Sequence, residues 1–282
     1  LGGNRFAFFE ESLQLEAHRR LELERRMAQA IKDKHFVAYF QPQVKPDGSP
    51  FGAEVLLRWF DPEEGAIPPD SFIPVAESSG LIHQLQDIVF EQSCSMLARL
   101  SSKNLLPPDF QLAVNISAMQ FENNRLTDRL NFFLSGYNLT ADRFVLEITE
   151  TLLMSEQQQA HQQMQALRQQ GFRFAIDDFG TGYSSLAYLH RLNVDQLKID
   201  KSFIRELENE AAGEAIVDSV LALSKNLNLE VIAEGVETEQ QARILGNKTL
   251  SGLQGFLYAR PMHPTDFMDY LDQALKNMPP DE

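Results

Sequence analysis

Only one of the 282 residues is a cysteine. Cys94 alone excludes an internal disulfide and any multi-cysteine metal site, and the scarcity points to a reducing, cytoplasmic compartment. Long apolar runs are also missing: none reaches the roughly 18 to 20 residues needed to span a bilayer, and no signal peptide opens the chain. Positive charge is in short supply, with 25 Lys and Arg against 40 Asp and Glu, a formal charge of −15 and a pI near 4.8. Such a chain lacks the broad basic footprint of proteins that hold DNA or RNA duplexes by their phosphates. A phosphate ligand would have to be met by local arginines or bound cations. The six histidines form no zinc spacing, and no Gly-Lys-Ser/Thr follows Gly180-Thr181-Gly182, which argues against a P-loop.

What is present is enough apolar material for a large core, 43% of the chain, which argues against disorder. Residues 10–34 are dense in charge, with Leu13, Leu21, Met27 and Ile31 at broadly helical spacing, and read as an amphipathic lead-in helix. The opening LGGNRFAFF does not look like a natural start, so the chain is expected to be excised from something longer.

Eight strand-like runs follow, at 35–43, 52–59, 110–117, 143–149, 172–177, 195–200, 229–235 and 253–258. They alternate with helical patterns at 81–103, 118–136, 155–170, 183–192, 211–227, 238–246 and 265–277. Strands interleaved with helices predict an α/β fold, a TIM-like (β/α)8 barrel. One connection departs from the pattern. Little more than PDGSP separates the first two strands, too short for a parallel crossover, so the first strand should run antiparallel. With no long linker, the expected organisation is a lead-in segment over 1–34 and one barrel over 35–282.

Strands buried on both faces should be nearly continuous apolar runs, yet most of these carry an ionisable or amide residue. Glu54 and Arg58 share one face of the second strand, and Lys198 and Asp200 share one face of the sixth. Asn115, Glu147, Asp177, Asp178 and Glu234 interrupt or close others, and Gln254 starts the last. Several lie at carboxyl ends, where barrel enzymes assemble their sites. Unpaired burial of such charges would cost several kcal/mol each. Oxygen donors without His or Cys describe a hard-cation site suited to Mg²⁺ or Mn²⁺. An adjacent pair such as Asp177-Asp178 could bridge two metals about 3.5–4 Å apart. Each piece has a plainer reading: Asp177-Asp178 as a turn or cap, Lys198 as half of an interior ion pair, Asn115 as a helix cap, Glu237 as the first-turn acid of a helix. Together they point to one barrel mouth.

The ordered motifs resemble the EAL-domain phosphodiesterases of bacterial cyclic di-GMP signalling, which governs biofilm formation and motility. Glu54-Val55-Leu56 stands where that family has Glu-Ala-Leu, followed by Leu57-Arg58-Trp59. Then come Asn115-Ile-Ser117 with Gln120, Glu147-Ile-Thr-Glu150, Asp177-Asp178-Phe-Gly180-Thr181-Gly182-Tyr-Ser-Ser, Lys198-Ile-Asp200, Ala233-Glu234-Gly-Val-Glu237-Thr238 and Gln254-Gly255. The opening residues are also similar to the end of a GGDEF domain. The resemblance implies hydrolysis of cyclic di-GMP to linear pGpG with two divalent cations, Mg²⁺ or Mn²⁺. Glu54, Asn115, Glu147 and Asp177 would hold the first; Asp177 and Asp178, with Glu234, the second. Lys198 would position the attacking water, with Glu234 as general base and Asp178 beside them. Gln41, Glu54, Leu57, Arg58, Asp200, Glu237 and Gln254 would contact or support the nucleotide. Glu150 would brace the 179–186 loop, with Gly180, Thr181 and Gly182, and that loop would reach a homodimer interface. An upstream GGDEF or sensory domain, and a membrane-anchored parent, fit the same pattern. Val55 departs from the family's alanine, and alternation turns it to the outer layer.

Two rivals remain in view. A receptor could bind cyclic di-GMP without cutting it, but degenerate EAL barrels usually lack some of the carboxylates that are all present here. An enolase-type lyase also combines carboxylates with lysine, though without this motif order.

Overall fold

A computed structural model of the protein describes residues 11–122, 125–149, 158–180, 194–208 and 211–277. The lead-in pattern forms helix α1 (Glu11–Lys32). Residues 14–22 lie exposed, whereas Met27 and Ala30 are buried, with Leu23 and Ile31 beside them. They pack against Phe72, Val75 and Ala76 of α2 (Pro69–Ser79) and against Phe36 and Trp59. Burial of this one stripe explains why a helix so charged holds its place.

Strands β1 (Phe36–Val44) and β2 (Pro50–Asp61) are antiparallel, from Phe36 opposite Trp59 to Val44 opposite Pro50. The short turn works as its length predicts: Gly48 N donates to Lys45 O and Lys45 N to Ser49 O, each at 2.8 Å. A three-residue strand, β3 (Gly65–Ile67), pairs back on the far end of β2. After α3 (Ile82–Ser102) come β4 (Gln111–Asn115), α4 (Arg125–Tyr137), β5 (Phe144–Thr149), α5 (Gln158–Gln169) and β6 (Arg173–Phe179). Then follow β7 (Gln196–Ile199), α6 (Lys201–Glu206), α7 (Ala211–Leu227), β8 (Glu230–Ala233), α8 (Glu239–Gly246), β9 (Gly252–Leu253) and α9 (Pro264–Asn277).

The sheet order is β1-β9-β8-β7-β6-β5-β4-β2-β3, and the β1–β2 pairing closes eight of these strands into a barrel. β2 and β4 through β9 run parallel, and β1 is antiparallel to both neighbours. The expected TIM-like barrel with its reversed first strand is therefore what forms. Val55, Val114, Leu146, Ile176, Leu197 and Val231 face the helices in one large apolar core, and Ala113, Val145 and Ala175 make a small separate cluster. Cys94 is fully buried in the large core, and burial pushes its thiol up to about 12. No helix among the described residues is long and apolar enough to cross a membrane.

Several boundaries differ from the sequence expectation. The 253–258 run is a strand only at Gly252–Leu253. A Cβ at Gly255 would stand 2.1 Å from Val236 O, and Tyr258 N bonds back to Gly255 O at 3.1 Å, so the chain turns there instead of extending. That truncation leaves the edge of β1 short of partners. Met262 exchanges two 2.9 Å hydrogen bonds with Phe40. The Gln92 side chain serves Ala38 N at 2.7 Å and Phe36 O at 3.0 Å, standing in for a strand. The 118–136 helix is split into a 3₁₀ turn, Ala118–Glu122, and α4. Helices α2 and α6 are additional; α2 carries an internal Pro74 and α6 has only six residues, so neither shows a long period. The predicted helix at 183–192 lies outside the described residues.

Candidate metal centre

Register brings the polar strand residues together. Gln41 stands opposite Glu54 across β1–β2, and Asn115 is beside Glu147 across β4–β5. Asn115 Nδ2 donates to Glu54 Oε1 at 3.0 Å, so its amide faces the cluster and does not cap the next helix. Asp177 and Asp178 need more than alternation, which would send neighbours to opposite faces. The β6–β7 register shifts between Ile176 and Phe179, and Asp178 adopts φ +52° while its N–H bonds Asp177 Oδ1 at 3.1 Å. A bulge of this kind re-aims side chains and is common beside active sites.

Lys198, with 0% of its surface exposed, is the hub. Its Nζ lies 2.6 Å from Glu234, 2.7 Å from Glu147, 3.0 Å from Asp177 and 3.7 Å from Glu54. Burial opposes its charge, yet the surrounding carboxylates, Asp177 first, hold its pKa well above the usual lysine value. Glu147 is 1% exposed, and burial raises its pKa well above the carboxylate range despite Lys198. Burial likewise pushes Glu234 up to about 8 and Asp178 up to about 6, Asp178 also feeling Asp177 and Asp200. Lys198 Nζ and both Glu147 oxygens are buried without a well-aligned hydrogen bond. The lysine therefore acts as a point charge that cannot satisfy all the carboxylates around it.

That residue of negative charge fits cations. Carboxylate oxygens of Glu54, Glu147 and Asp177 lie within 4.8 Å of one another, and so do those of Asp177, Asp178 and Glu234. Asp177 belongs to both trios. Oxygen-only donors of this kind suit a hard divalent ion.

Around the trios, Gln254 follows β9 instead of starting it. Its Nε2 donates to Glu54 Oε2 at 2.5 Å and to Gln41 Oε1 at 3.2 Å, and its Oε1 accepts from Gln43 at 3.0 Å. Gln41 also donates to Ala259 O at 3.1 Å. Arg58 lies 5.9 Å from the Tyr39 ring and is half-buried, which lowers its pKa. Leu57 does not join this wall: alternation turns it with Val55 and Trp59 towards the two apolar clusters. Asp200 accepts from Ser202 N at 3.0 Å as the cap of α6; burial opposes its ionisation but the Ser202 donors outweigh it and lower its pKa. Glu237 is exposed, lies 3.7 Å from Arg205 and is in neither trio. It precedes the Thr238 cap of α8, so it is not in that helix's first turn. Gly180 takes φ +98° with Phe203 only 2.9 Å from a Cβ placed there, which favours glycine. Glu150, Thr181 and Gly182 lie outside the described residues, as does most of the 179–186 loop.

The glutamines at 43 and 254 tie β1 to β9 beneath the acids. Gln43 went unnoticed in the sequence, although it shares the face of Gln41 two residues away.

The sequence matches the EAL domain family over residues 24–261. It is 40% identical over 262 residues to the bifunctional diguanylate cyclase/cyclic di-GMP phosphodiesterase MucR of Pseudomonas aeruginosa, covering 93% of this chain and 38% of MucR. It is 37% identical over 262 residues to the cyclic di-GMP phosphodiesterase NbdA of the same organism, covering 93% and 33%. The chain thus spans about a third to two fifths of the length of these curated relatives. A solved structure of the PaMucR phosphodiesterase in complex with c-di-GMP superposes with a TM-score of 0.82 at 39% identity, covering 87% of this chain and 99% of that one. With this match spanning both carboxylate trios, the chain belongs to the EAL domain family.

Proposed function

We propose that this barrel hydrolyses cyclic di-GMP to linear pGpG as a metal-dependent phosphodiesterase. The observation that carries the reading is the pair of carboxylate trios sharing Asp177 around a buried lysine. Relatives bearing the phosphodiesterase name support it.

Glu54, Asn115, Glu147 and Asp177 are the residues that would hold one Mg²⁺ or Mn²⁺, and Asp177, Asp178 and Glu234 the other. Bound divalent cations would polarise the phosphodiester and make the attacking water easier to deprotonate. Lys198 Nζ orients that water among the carboxylates. Glu234 would take its proton as the water oxygen bonds to phosphorus, while the bond from phosphorus to one ribose oxygen breaks and that oxygen leaves as a hydroxyl after taking a proton from solvent. Arg58 presents a forked donor to a phosphate oxygen, Gln41 lines the nucleotide's path, and Gln254 holds Glu54 in place. Asp200 supports the site through Asp178. Glu237, and Glu150 bracing the 179–186 loop, complete the assignment.

The same reading includes a homodimer through the 179–186 region and a cytoplasmic setting. It also includes a lead-in over residues 1–34 that joins the 35–282 barrel to an upstream GGDEF or sensory domain. Incubation of the purified chain with cyclic di-GMP and Mn²⁺ should yield pGpG, and Glu54→Ala should abolish the product while the barrel stays folded. Cyclic di-GMP binding without pGpG in the unaltered protein would favour a receptor, and undiminished cleavage by Glu54→Ala would refute the site.

A further inference from the structure

Glu77 stands in the last turn of α2, where a carboxylate is unfavourable for the helix dipole and where no basic residue offsets it. A local rule broken in this way calls for a compensating contact. The contact is with the loop after β4: Ser117 Oγ donates to Glu77 Oε1 at 2.6 Å, a length typical of a charge-assisted bond. Ser117 lies two residues beyond Asn115. Between them, Ile116 N donates to Glu147 O at 2.8 Å, carrying the β4–β5 ladder one step past the strand's end. Ser117 N donates to the buried Gln120 Oε1 at 2.8 Å. The serine hydroxyl thus points at α2. Asn115 itself is exposed, with its amide bonded to Glu54 at 3.0 Å. An exposed ligand arm at a strand end depends on its neighbours for direction. Helix α2 is a firm post for that purpose, because Phe72, Val75 and Ala76 are sunk into the apolar cluster that holds Trp59.

Resting on the functional reading above, we propose that Glu77 is a positioning residue for the metal centre. By gripping Ser117 it fixes the end of β4 and the angle at which the Asn115 amide meets the site. Groups that orient metal ligands in this way typically change metal affinity by about 10- to 100-fold when removed.

The test is titration calorimetry of Mn²⁺ into the protein without substrate, with melting temperature recorded for each variant. Glu77→Ala should weaken Mn²⁺ binding about ten-fold. Ser117→Ala should do the same, and the double variant no more than either single one, because all three delete one bond. Glu77→Gln, whose amide oxygen still accepts from Ser117, should recover most of the affinity. Mn²⁺ binding unchanged in Ser117→Ala would overturn the proposal, and that smaller change keeps the test available if Glu77→Ala does not fold. Additive losses in the double variant would also overturn it. Wild-type protein that binds Mn²⁺ but yields no pGpG would defeat the functional reading alone, whereas wild-type protein that binds no Mn²⁺ would defeat both.

Discussion

The two ends of the barrel both carry charged side chains on strands, yet they differ in how those charges are matched. At the amino-terminal floor, Arg173 of β6 pairs with Glu230 of β8 at 2.8 Å and donates to Gln111 at 3.1 Å. Gln196 of β7 donates to the same Glu230 at 2.8 Å, and Gln111 donates to Asp142 O at 2.8 Å. Donors and acceptors there balance. At the carboxyl-terminal mouth, five carboxylates crowd one ammonium, and the oxygens of the most buried acid lack aligned donors. Polar residues inside a barrel are thus no evidence of function by themselves. The unmatched remainder is the evidence, since a folded protein keeps uncompensated buried charge only where something else completes it.

The sharpest way to break this contrast is to remove one charge from each end. Asp177→Asn keeps the shape of the residue shared by both trios. It should cost at least about 10³-fold in turnover, the scale on which a single preorganised electrostatic group acts. It should leave the metal-free melting temperature equal or higher, because one repulsive charge is gone. A lower melting temperature would mean that the mouth is as well matched as the floor. Lys198→Met should destabilise the metal-free protein by about 3–5 kcal/mol in urea unfolding, since buried carboxylates lose the ammonium that pairs with them. Arg173→Ala at the floor should cost about 1–2 kcal/mol, because that side chain is 27% exposed, with kcat unchanged.

The smallest expected effect is in pH. Glu234 near 8, Asp178 near 6 and a raised Glu147 mean that the folded, metal-free protein holds protons that the unfolded chain has released. Stability should therefore fall as pH rises from about 4, near the unfolded carboxyl values, to about 8, by a few degrees in melting temperature at about 2–4 °C per kcal/mol. Saturating Mn²⁺ should flatten or reverse that slope, because bound cations favour the ionised carboxylates. A metal-free slope of opposite sign would show that the acids are not crowded.

Much of this was legible in the chain because it rests on short-range rules. Period-two alternation placed Glu54 with Arg58, and the five-residue PDGSP turn required the reversed first strand. The same alternation, applied at Leu57, would have turned that residue to the core. It fails at Asp177 and Asp178, where the bulge and the positive φ of Asp178 set both carboxylates on one site. The last strand misled for a different reason: LQGFLY has strand composition, but the close approach of Gly255 to Val236 bends it away.

The sequence by itself determined which polar residues interrupt the strands, that the ligands are oxygens, and which family the motifs match, since each follows from residue type and local spacing. Tertiary structure decided how well each inward charge is matched: Arg173 finds Glu230 and Gln111, whereas the acids around Lys198 outnumber it. It also decided that Glu77, which no sequence pattern singles out, grips Ser117 beside the centre. The physical reason is that charge compensation depends on distances of a few ångströms between residues far apart in the chain, and only closure of the barrel sets those distances.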